Sequence, residues 1–238
     1  MSKTLLFLPA CIEPLPNVFG LTRTNHHERL MDHVKAIKFW IKSNPDCEIL
    51  MVDNSNFSKK KLAEHIPEFD SKINYLTYDG RSDSVKKGTG RGEIEIFKYA
   101  YDNSELFRNA DLIIKCSARY TFNNISKLLH LKGIDLIGNF KNNLSFMDSR
   151  VFAFTPLFFI NYFYFQKDII DDSNGLYFEH ALAIAAHSML SDFQNKWMSI
   201  PFPLIVNGVS GKEANIRYNS FFRKILTVFN YYRLLHKY

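Results

Sequence analysis

The residues best suited to chemistry begin at a glycine-rich basic stretch, KKGTGRG, at positions 86–92. Glycines let backbone amides approach an anion closely, and Arg91 can donate two parallel hydrogen bonds to a phosphate. The stretch precedes an amphipathic segment, and the positive end of such a helix attracts anions. We therefore predict a loop, with Gly90 and Arg91 at a phosphate-bearing ligand. A solvated surface loop is the alternative.

A short apolar run at 111–116 predicts a buried strand that brings Lys115 to its end, with Arg119 three residues beyond it. In an open α/β sheet, ligands bind at the carboxyl ends of the strands. The two cations are therefore expected at the same edge of the sheet as the glycine-rich stretch. This arrangement predicts a site for a substrate that carries phosphate.

Two further segments place carboxylates where a site could form. Asp53, followed by Asn54, ends a second apolar strand, where its carboxylate could accept hydrogen bonds from a ribose or base. A turn that closes the strand would use the same Asp equally well. Asp148 stands two residues before Arg150, a spacing typical of a salt-bridged turn or of an Asp that contacts a sugar hydroxyl or a metal ion.

Glu179 opens a predicted helix over 177–190. A carboxylate at a helix start is usually a partner of the helix dipole. Near a cleft, the same group could deprotonate an acceptor hydroxyl as a general base. His180 and His187 lie two turns apart on this helix without a third ligand, so we expect them to be structural.

Strands and helices alternate along the first half of the chain, which predicts βαβ units and a mainly parallel sheet. The predicted strands are 4–11, 47–52, 73–78, 111–116 and 135–137. The predicted helices are 26–43, 60–66, the segment after the glycine-rich stretch, 124–131 and 177–190. In the third helix, Ile94, Phe97, Tyr101 and Leu106 are expected on one apolar stripe.

Composition narrows the class of protein. A chain of 238 residues with 46% hydrophobic residues can bury a substantial core. Its cysteines, Cys11, Cys47 and Cys116, form no CxxC pair, which favours reduced thiols in the cytoplasm over disulfides or a zinc site. No apolar stretch is long enough to cross a bilayer. No GxGxxG follows the first strand and no P-loop motif occurs, which argues against nicotinamide dinucleotides and P-loop nucleotides.

The net charge of +6 is concentrated after Lys212, where basic and aromatic residues alternate at helical spacing. This pattern predicts a basic amphipathic helix over 212–238. Such a helix either lies on an anionic membrane surface or packs its apolar face on the domain. No nucleic-acid-binding motif accompanies the charge, so we expect no nucleic acid partner.

Together, these motifs resemble small bacterial glycosyltransferases of capsule, lipopolysaccharide or lipooligosaccharide biosynthesis. The resemblance extends to about Leu190 and rests on the strand ending VDNS, the KGxGxGE stretch with its helix, IIKxxxRY and the DSR segment. It implies a GT-A-like α/β fold, with a nucleotide-binding, mainly parallel sheet flanked by helices and a C-terminal acceptor-binding part. We expect one domain over 1–211, with a nucleotide-binding half at 1–122 and an acceptor half at 123–211.

The resemblance implies transfer of a sugar from a nucleotide sugar to a glycan or lipid-linked saccharide, in the cytoplasm and peripherally on the inner membrane. It implies Glu179 and Asp148 as catalytic residues. If Glu179 is the base, the mechanism is a single inverting displacement, and a retaining outcome is the alternative. The implied donor-binding residues are Pro9, Asp53, Asn54, Gly90, Arg91, Lys115, Arg119, Arg150 and Lys212.

The chain departs from many GT-A enzymes in lacking the Asp-x-Asp motif that holds a divalent ion on the donor diphosphate. We expect Lys115, Arg119 and Arg91 to neutralise the diphosphate instead. Manganese or magnesium held by Asp148 is the less favoured alternative. Two other functions remain open: a non-catalytic nucleotide- or glycan-binding accessory protein of polysaccharide assembly, and a basic membrane-surface adaptor.

Overall fold

The computed structural model describes residues 3–141, 143–209, 225, 228 and 229. Its strands are β1 (Thr4–Ala10), β2 (Glu48–Asp53), β3 (Asn74–Thr77), β4 (Leu112–Cys116), β5 (Thr121–Phe122), β6 (Leu136–Ile137), β7 (Val151–Phe154), β8 (Trp197–Met198) and β9 (Val206–Asn207). Its helices are α1 (His26–Ser43), α2 (Lys59–His65), α3 (Phe69–Lys72), α4 (Arg81–Lys87), α5 (Thr89–Asn103), α6 (Glu105–Arg108), α7 (Ser126–Leu129), α8 (Pro156–Phe158) and α9 (Phe178–Leu190). Between α8 and α9 lie a π-helical turn (Phe159–Phe163) and two 3-10 segments (Tyr164–Ile169 and Asp172–Asn174).

Seven strands form one mixed sheet in the order β3-β2-β1-β4-β7-β6-β8. The first four are parallel, whereas β7 runs antiparallel to β4 and β6 runs antiparallel to β7. A parallel sheet is covered on both faces, which explains why β1 and β4 are continuous apolar runs. The predicted α/β class with a mainly parallel sheet is confirmed.

Each face of the sheet carries its own core. On one face, Trp40 and Ile37 of α1 pack with Leu6 and Leu8 of β1. The helix begins where the Asn25 side chain accepts a hydrogen bond from a backbone amide, and it ends at an Asn in the left-handed conformation. On the other face, α5 and α9 cover the sheet.

The core under α5 is built largely from phenylalanine rings. Phe97 of α5 lies at its centre, with six ring centroids within 6.2 Å of its own: those of Phe7, Phe152, Phe154, Phe159, Phe163 and Phe178. The aromatic segment after β7 therefore contributes to the core. These contacts fix α5 and α9 against each other at the edge where the site lies.

The predicted loop over the glycine-rich stretch is wrong, because most of that stretch is helical. Gly88 joins α4 to α5 with φ +91°, and Gly90, Arg91 and Gly92 lie in the first turns of α5. A Cβ on Gly92 would lie 1.9 Å from the hydroxyl of Ser84, so the glycine permits close packing of α5 on α4. The glycines here serve helix packing rather than a flexible loop.

The predicted basic helix over 212–238, including Lys212, lies outside the described residues except at three positions. Ile225, Val228 and Phe229 are in helical conformation. The domain division at residue 211 stays a prediction. Among the helices that the structure describes, none is long and apolar enough to span a bilayer.

We predict that Phe97→Ala lowers the free energy of unfolding by about 3–5 kcal/mol, because it empties the centre of the aromatic core. Leu106→Ala is the matched control, since Leu106 lies on α6 with 37% of its surface exposed, instead of on the α5 stripe where the sequence predicted it. Its effect should stay within about 0.5 kcal/mol. Urea denaturation measures both, and equal losses would contradict this description of the core.

Candidate functional site

A cavity of about 510 Å³ opens at the carboxyl ends of β1, β2 and β4. Its floor is formed by Pro9 near the end of β1, Asn54 directly after β2, and residues 117–120 after β4. Ligands bind at this edge in open α/β sheets, and the volume is in the range of small-molecule sites. Pro9, Asn54 and Arg119 lie where the sequence predicted a donor site.

The walls come from helices and loops on both sides of the sheet. They are formed by Cys11, Pro14, Leu15, Val18, Leu21, Arg29, His33, Arg81, Ser84, Thr89, Gly90, Gly92, Glu93, Ile96, Phe146, Ser149, Arg150, Tyr177, Phe178 and Glu179. Burial raises the pKa of the Cys11 thiol to about 12, so this cysteine is protonated at neutral pH. The two acidic side chains of the wall, Glu93 and Glu179, both come from helices of the same layer.

Four arginines line the cavity, and two of them have their charge matched by a neighbouring carboxylate. Arg81 pairs with Asp79 at 2.8 Å, and Arg150 pairs with Asp148. Arg29 and Arg119 have no carboxylate within 4 Å in the part of the chain that the structure describes. The cavity therefore carries a positive charge that an anionic ligand can match.

Lys115 lies beneath the cavity instead of facing it, because β4 turns its side chain into the core. Its ammonium group is fully buried and pairs with Glu93 at 2.6 Å. It also donates hydrogen bonds to the carbonyl of Ser149 at 2.5 Å and to the hydroxyl of Ser117 at 3.2 Å. The rings of Phe152 and Phe178 lie 5.6 Å from it. The predicted direct contact of Lys115 with a phosphate is therefore wrong.

Glu179 lines the cavity, as its predicted role requires. The hydroxyl of Ser149 donates a hydrogen bond of 2.6 Å to Oε1 of Glu179. The backbone carbonyl of Glu179 accepts from the amide of Met147 at 3.2 Å, which ties the start of α9 to the strand that leads into β7. Lys115 thus fixes Ser149, and Ser149 in turn orients the Glu179 carboxylate.

Aromatic rings flank Glu179 on the same wall. The imidazole of His180 stacks on Tyr177, with centroids 5.6 Å apart, and meets the edge of Phe146 at 5.3 Å. Nδ1 of His180 accepts a hydrogen bond from the Tyr177 amide, which holds the ring in place. Tyr177 and Phe146 both line the cavity, so a fixed apolar surface lies beside the carboxylate.

Asp53 does not line the cavity. Its buried carboxylate accepts hydrogen bonds from the amides of Ile12, Ser55 and Phe57, and from the hydroxyls of Ser55 and Thr77. Burial raises the pKa of Asp53, although these hydrogen bonds act in the opposite direction. The predicted contact with a nucleoside is therefore wrong, and the alternative of a turn that closes the strand is correct.

Asn54, the next residue, does line the cavity. Its Oδ1 is buried and has no hydrogen-bond partner among the described residues. A buried amide oxygen without a partner is costly unless a ligand or water supplies a donor. The donor-binding role of Asn54 therefore stays a prediction, and the unpaired Oδ1 can accept a hydrogen bond from a ligand.

Arg91 points away from the cavity. It donates to the carbonyl of Lys167 at 2.7 Å and pairs with Asp168 at 3.0 Å and Glu95 at 3.3 Å. The helix turns Arg91 by about 100° from Gly90, which does line the cavity. The prediction that Arg91 contacts a phosphate is wrong, because the loop on which it rested is a helix.

Asp148 also lies outside the cavity lining, so its predicted catalytic or metal-binding role is not supported by its position. Its carboxylate forms a salt bridge with Arg150 of the same turn. Burial by itself acts to raise the pKa of Asp148. The hydrogen bonds and charge of Arg150, together with the charge of Lys141, outweigh this effect, so the net pKa lies below its usual value. The salt-bridged turn is the correct alternative, with Arg150 facing the cavity.

Several cavity residues were missed by sequence motifs, notably Arg29, His33, Glu93 and Ser149. Arg29 and His33 lie four residues apart on α1, a spacing that puts them on one helix face. A polar pair at this spacing within an amphipathic helix was the sequence signal by which these two residues could have been found. Over residues 3–141 and 143–209, no three or more His, Cys, Asp or Glu side chains are grouped as a metal-binding set.

We predict that Asp148→Asn lowers stability most at neutral pH. A carboxylate whose pKa is lowered by folding stabilises the protein above its unfolded pKa of about 3.9 and loses that contribution as the pH falls through the folded value. The difference in unfolding free energy between wild type and variant should therefore shrink below about pH 4. Urea denaturation between pH 2 and 7 measures it, and a constant difference would contradict the Arg150 pairing.

We predict that Lys115→Met costs about 3 kcal/mol of unfolding free energy, since it leaves Glu93 without its cation. Lys98→Met is the matched control: Lys98 pairs with Asp102 at 2.6 Å on the surface of the same layer, where such pairs contribute about 0.5 kcal/mol. Chemical denaturation compares the two. A loss for Lys115→Met no larger than that of the control would contradict the central role of the buried lysine.

No protein-family model and no curated protein matches the chain. Among solved structures, the galactosyltransferase LgtC, in complex with donor and acceptor sugar analogs, is similar with a TM-score of 0.53 and 9% identity, over 84% of this chain and 74% of that chain. The bifunctional glycosyltransferase WbbM is similar with a TM-score of 0.50 and 8% identity, over 95% of this chain and 44% of that one. At such identities the similarity shows the fold alone. The chain has the GT-A-like α/β fold that its motifs predicted.

Proposed function

We propose that this protein is a glycosyltransferase that moves a sugar from a nucleotide sugar to a saccharide acceptor. The observation that carries the proposal is that one cavity, at the carboxyl ends of β1, β2 and β4, faces both the Glu179 carboxylate and Arg119, which has no carboxylate partner among the described residues. An inverting glycosyl transfer without a metal ion needs these two features together. A base must take the acceptor proton, and fixed positive charge must stabilise the leaving diphosphate.

Arg119 and Arg150 are suited to the donor diphosphate. Both line the cavity, and a guanidinium group can donate two parallel hydrogen bonds to the oxygens of a phosphate. Arg119 is held by its own hydrogen bond to the carbonyl of Val209 at 3.3 Å, and its charge is matched by no carboxylate of the described residues. In this proposal arginines neutralise the departing charge and no divalent ion is required.

Glu179 serves as the general base of a single inverting displacement. The acceptor oxygen forms a bond to the anomeric carbon while the bond from that carbon to the diphosphate oxygen breaks. The acceptor proton passes to the Glu179 carboxylate, and the nucleoside diphosphate leaves with the bonding electron pair. The hydrogen bond from Ser149 orients this carboxylate before substrate arrives.

The acceptor sugar lies on the Phe146 and Tyr177 side of Glu179. A base must be within hydrogen-bond reach of the proton that it removes, which places the acceptor hydroxyl next to these rings. Aromatic faces offer a sugar ring a rigid apolar surface at low entropic cost. The opposite end of the cavity, between Asn54 and α1, is then left for the nucleoside.

The fold and the sequence support the wider setting of this proposal. LgtC, which shares the fold, was solved with donor and acceptor sugar analogs. The basic aromatic segment 212–238 suits an anionic membrane surface, which favours a lipid-linked acceptor of capsule or lipopolysaccharide assembly and a cytoplasmic, peripheral location.

We predict that Glu179→Gln reduces nucleotide release from the preferred nucleotide sugar by at least about 100-fold, because the base is lost. The nucleoside diphosphate itself should raise the unfolding temperature of wild type and variant equally, since Glu179 does not bind the leaving group. Release is measured with water as the acceptor and with free lactose, galactose and N-acetylglucosamine as probes.

Glu105→Gln, on the outer surface of α6, is the matched control and should release nucleotide like wild type. Unchanged release by Glu179→Gln would remove Glu179 from the mechanism. Nucleotide binding by the wild type without turnover of any nucleotide sugar would favour the accessory-protein alternative.

A further inference from the structure

The part of the cavity that is lined by α1 and by the segment before it, which we call the α1 recess, contains two buried polar side chains. His33 and Arg29 of α1 have only 1% and 4% of their surfaces exposed, yet both line the cavity. The sides of the recess are apolar and come from the segment between β1 and α1: Pro14, Leu15, Val18 and Leu21. Neither polar residue takes part in the proposed transfer step.

His33 presents a hydrogen-bond acceptor to this recess. Its Nδ1 lies 2.7 Å from the carbonyl oxygen of Arg29, and because a carbonyl only accepts, Nδ1 must carry the proton. Burial, followed by the positive charges of Arg29 and Arg119, lowers the pKa of His33 well below its usual value. The ring is therefore neutral and Nε2 is unprotonated. Among the described residues, none donates a hydrogen bond to Nε2.

Arg29 lies one helical turn before His33 on α1 and lines the same cavity. Three of its five N–H groups donate to the carbonyls of Cys11, Ile12 and Arg23, which fixes the guanidinium and the segment after β1. Burial lowers the pKa of Arg29 to about 10, so it stays protonated at neutral pH. The remaining N–H groups have no hydrogen-bond partner in the described part of the chain.

We propose that this recess binds the nucleobase of the nucleotide sugar and selects bases in which a ring N–H stands next to a carbonyl: uracil, thymine and guanine. The ring N–H donates to Nε2 of His33, and the neighbouring carbonyl accepts from Arg29. The apolar sides enclose the flat ring and exclude water. This inference rests on the proposed function, because it assigns one end of the donor site.

Cytosine and adenine present the reverse pattern. The ring nitrogen that faces His33 is unprotonated, so two acceptors oppose each other, and the neighbouring amino group points its N–H bonds at those of Arg29. A buried site built for one hydrogen-bond pattern leaves its own groups without partners when the pattern is wrong. The structure therefore assigns base discrimination to a pair of residues on α1.

The test is isothermal titration of the full chain with UMP, dTMP, GMP, CMP and AMP, at one pH and salt concentration. We expect at least one of UMP, dTMP and GMP to bind at least about tenfold more tightly than both CMP and AMP. His33→Leu removes the acceptor at similar volume and should reduce this preference to less than about threefold, while the affinity for inorganic pyrophosphate stays unchanged.

Two further variants distinguish loss of the hydrogen-bond acceptor from a loss of folding. His33→Gln retains an acceptor oxygen near the position of Nε2 and should keep most of the preference, even if His33→Leu folds poorly. His130→Leu, at the exposed end of α7, is the matched control and should bind all five nucleotides like wild type.

Wild-type binding of CMP or AMP as tightly as the best of the other three nucleotides would overturn the proposal. Preference retained in both His33 variants would overturn the role of His33. Nucleotide binding without base preference would refute this inference alone and leave the glycosyltransferase proposal standing, whereas no binding of any nucleotide or nucleotide sugar would overturn both.

Discussion

The buried ammonium group of Lys115 is the interaction on which the geometry of the cavity depends. It joins Glu93 of α5 to the segments after β4 and before β7, and through Ser149 it reaches Glu179 at the start of α9. A charge with no access to water must be fully partnered, since removing one partner is strongly destabilising. This requirement fixes the positions of α5, α9, β4 and β7 relative to one another. It therefore also fixes the positions of the two cavity carboxylates, Glu93 and Glu179. Lys115 thus positions residues of the site although it does not itself line the cavity.

Much of the fold could be predicted from hydrophobic periodicity. β1, β2 and β4 are apolar runs because a parallel sheet is covered on both faces, and the rhythm of α1 marks its buried side. The second half was harder to predict. β6 and β8 have two residues each, which is too short to show a period, and the aromatic residues after β7 form irregular helical turns whose apolar composition suits several structures. The glycine-rich stretch was wrongly predicted to be a loop, because glycine permits tight helix packing as well as loops.

The site could be predicted in location but less well in its contacts. Lys115, Asp53, Arg91 and Asp148 are each bound by protein partners. For Lys115 and Arg91, the choice between ligand and partner depends on residues distant in sequence. Glu93 lies 22 positions from Lys115, and Asp168 lies 77 from Arg91. Glu179 and Arg119 do line the cavity. Arg29 and His33 were missed because helical residues outside a motif give no sign of which cavity they line.

The central claim is that this cavity binds the donor through its own cations. The most direct measurement is the unfolding temperature of the protein with uridine, guanosine, thymidine and cytidine diphosphates, each with manganese and with a chelator. A ligand that binds only the folded state at about a hundred times its dissociation constant adds about 2.7 kcal/mol of stability. The account predicts a rise with at least one nucleoside diphosphate that persists in chelator and is lost in Arg119→Ala. No rise with any of them, or a rise only with manganese, would contradict it.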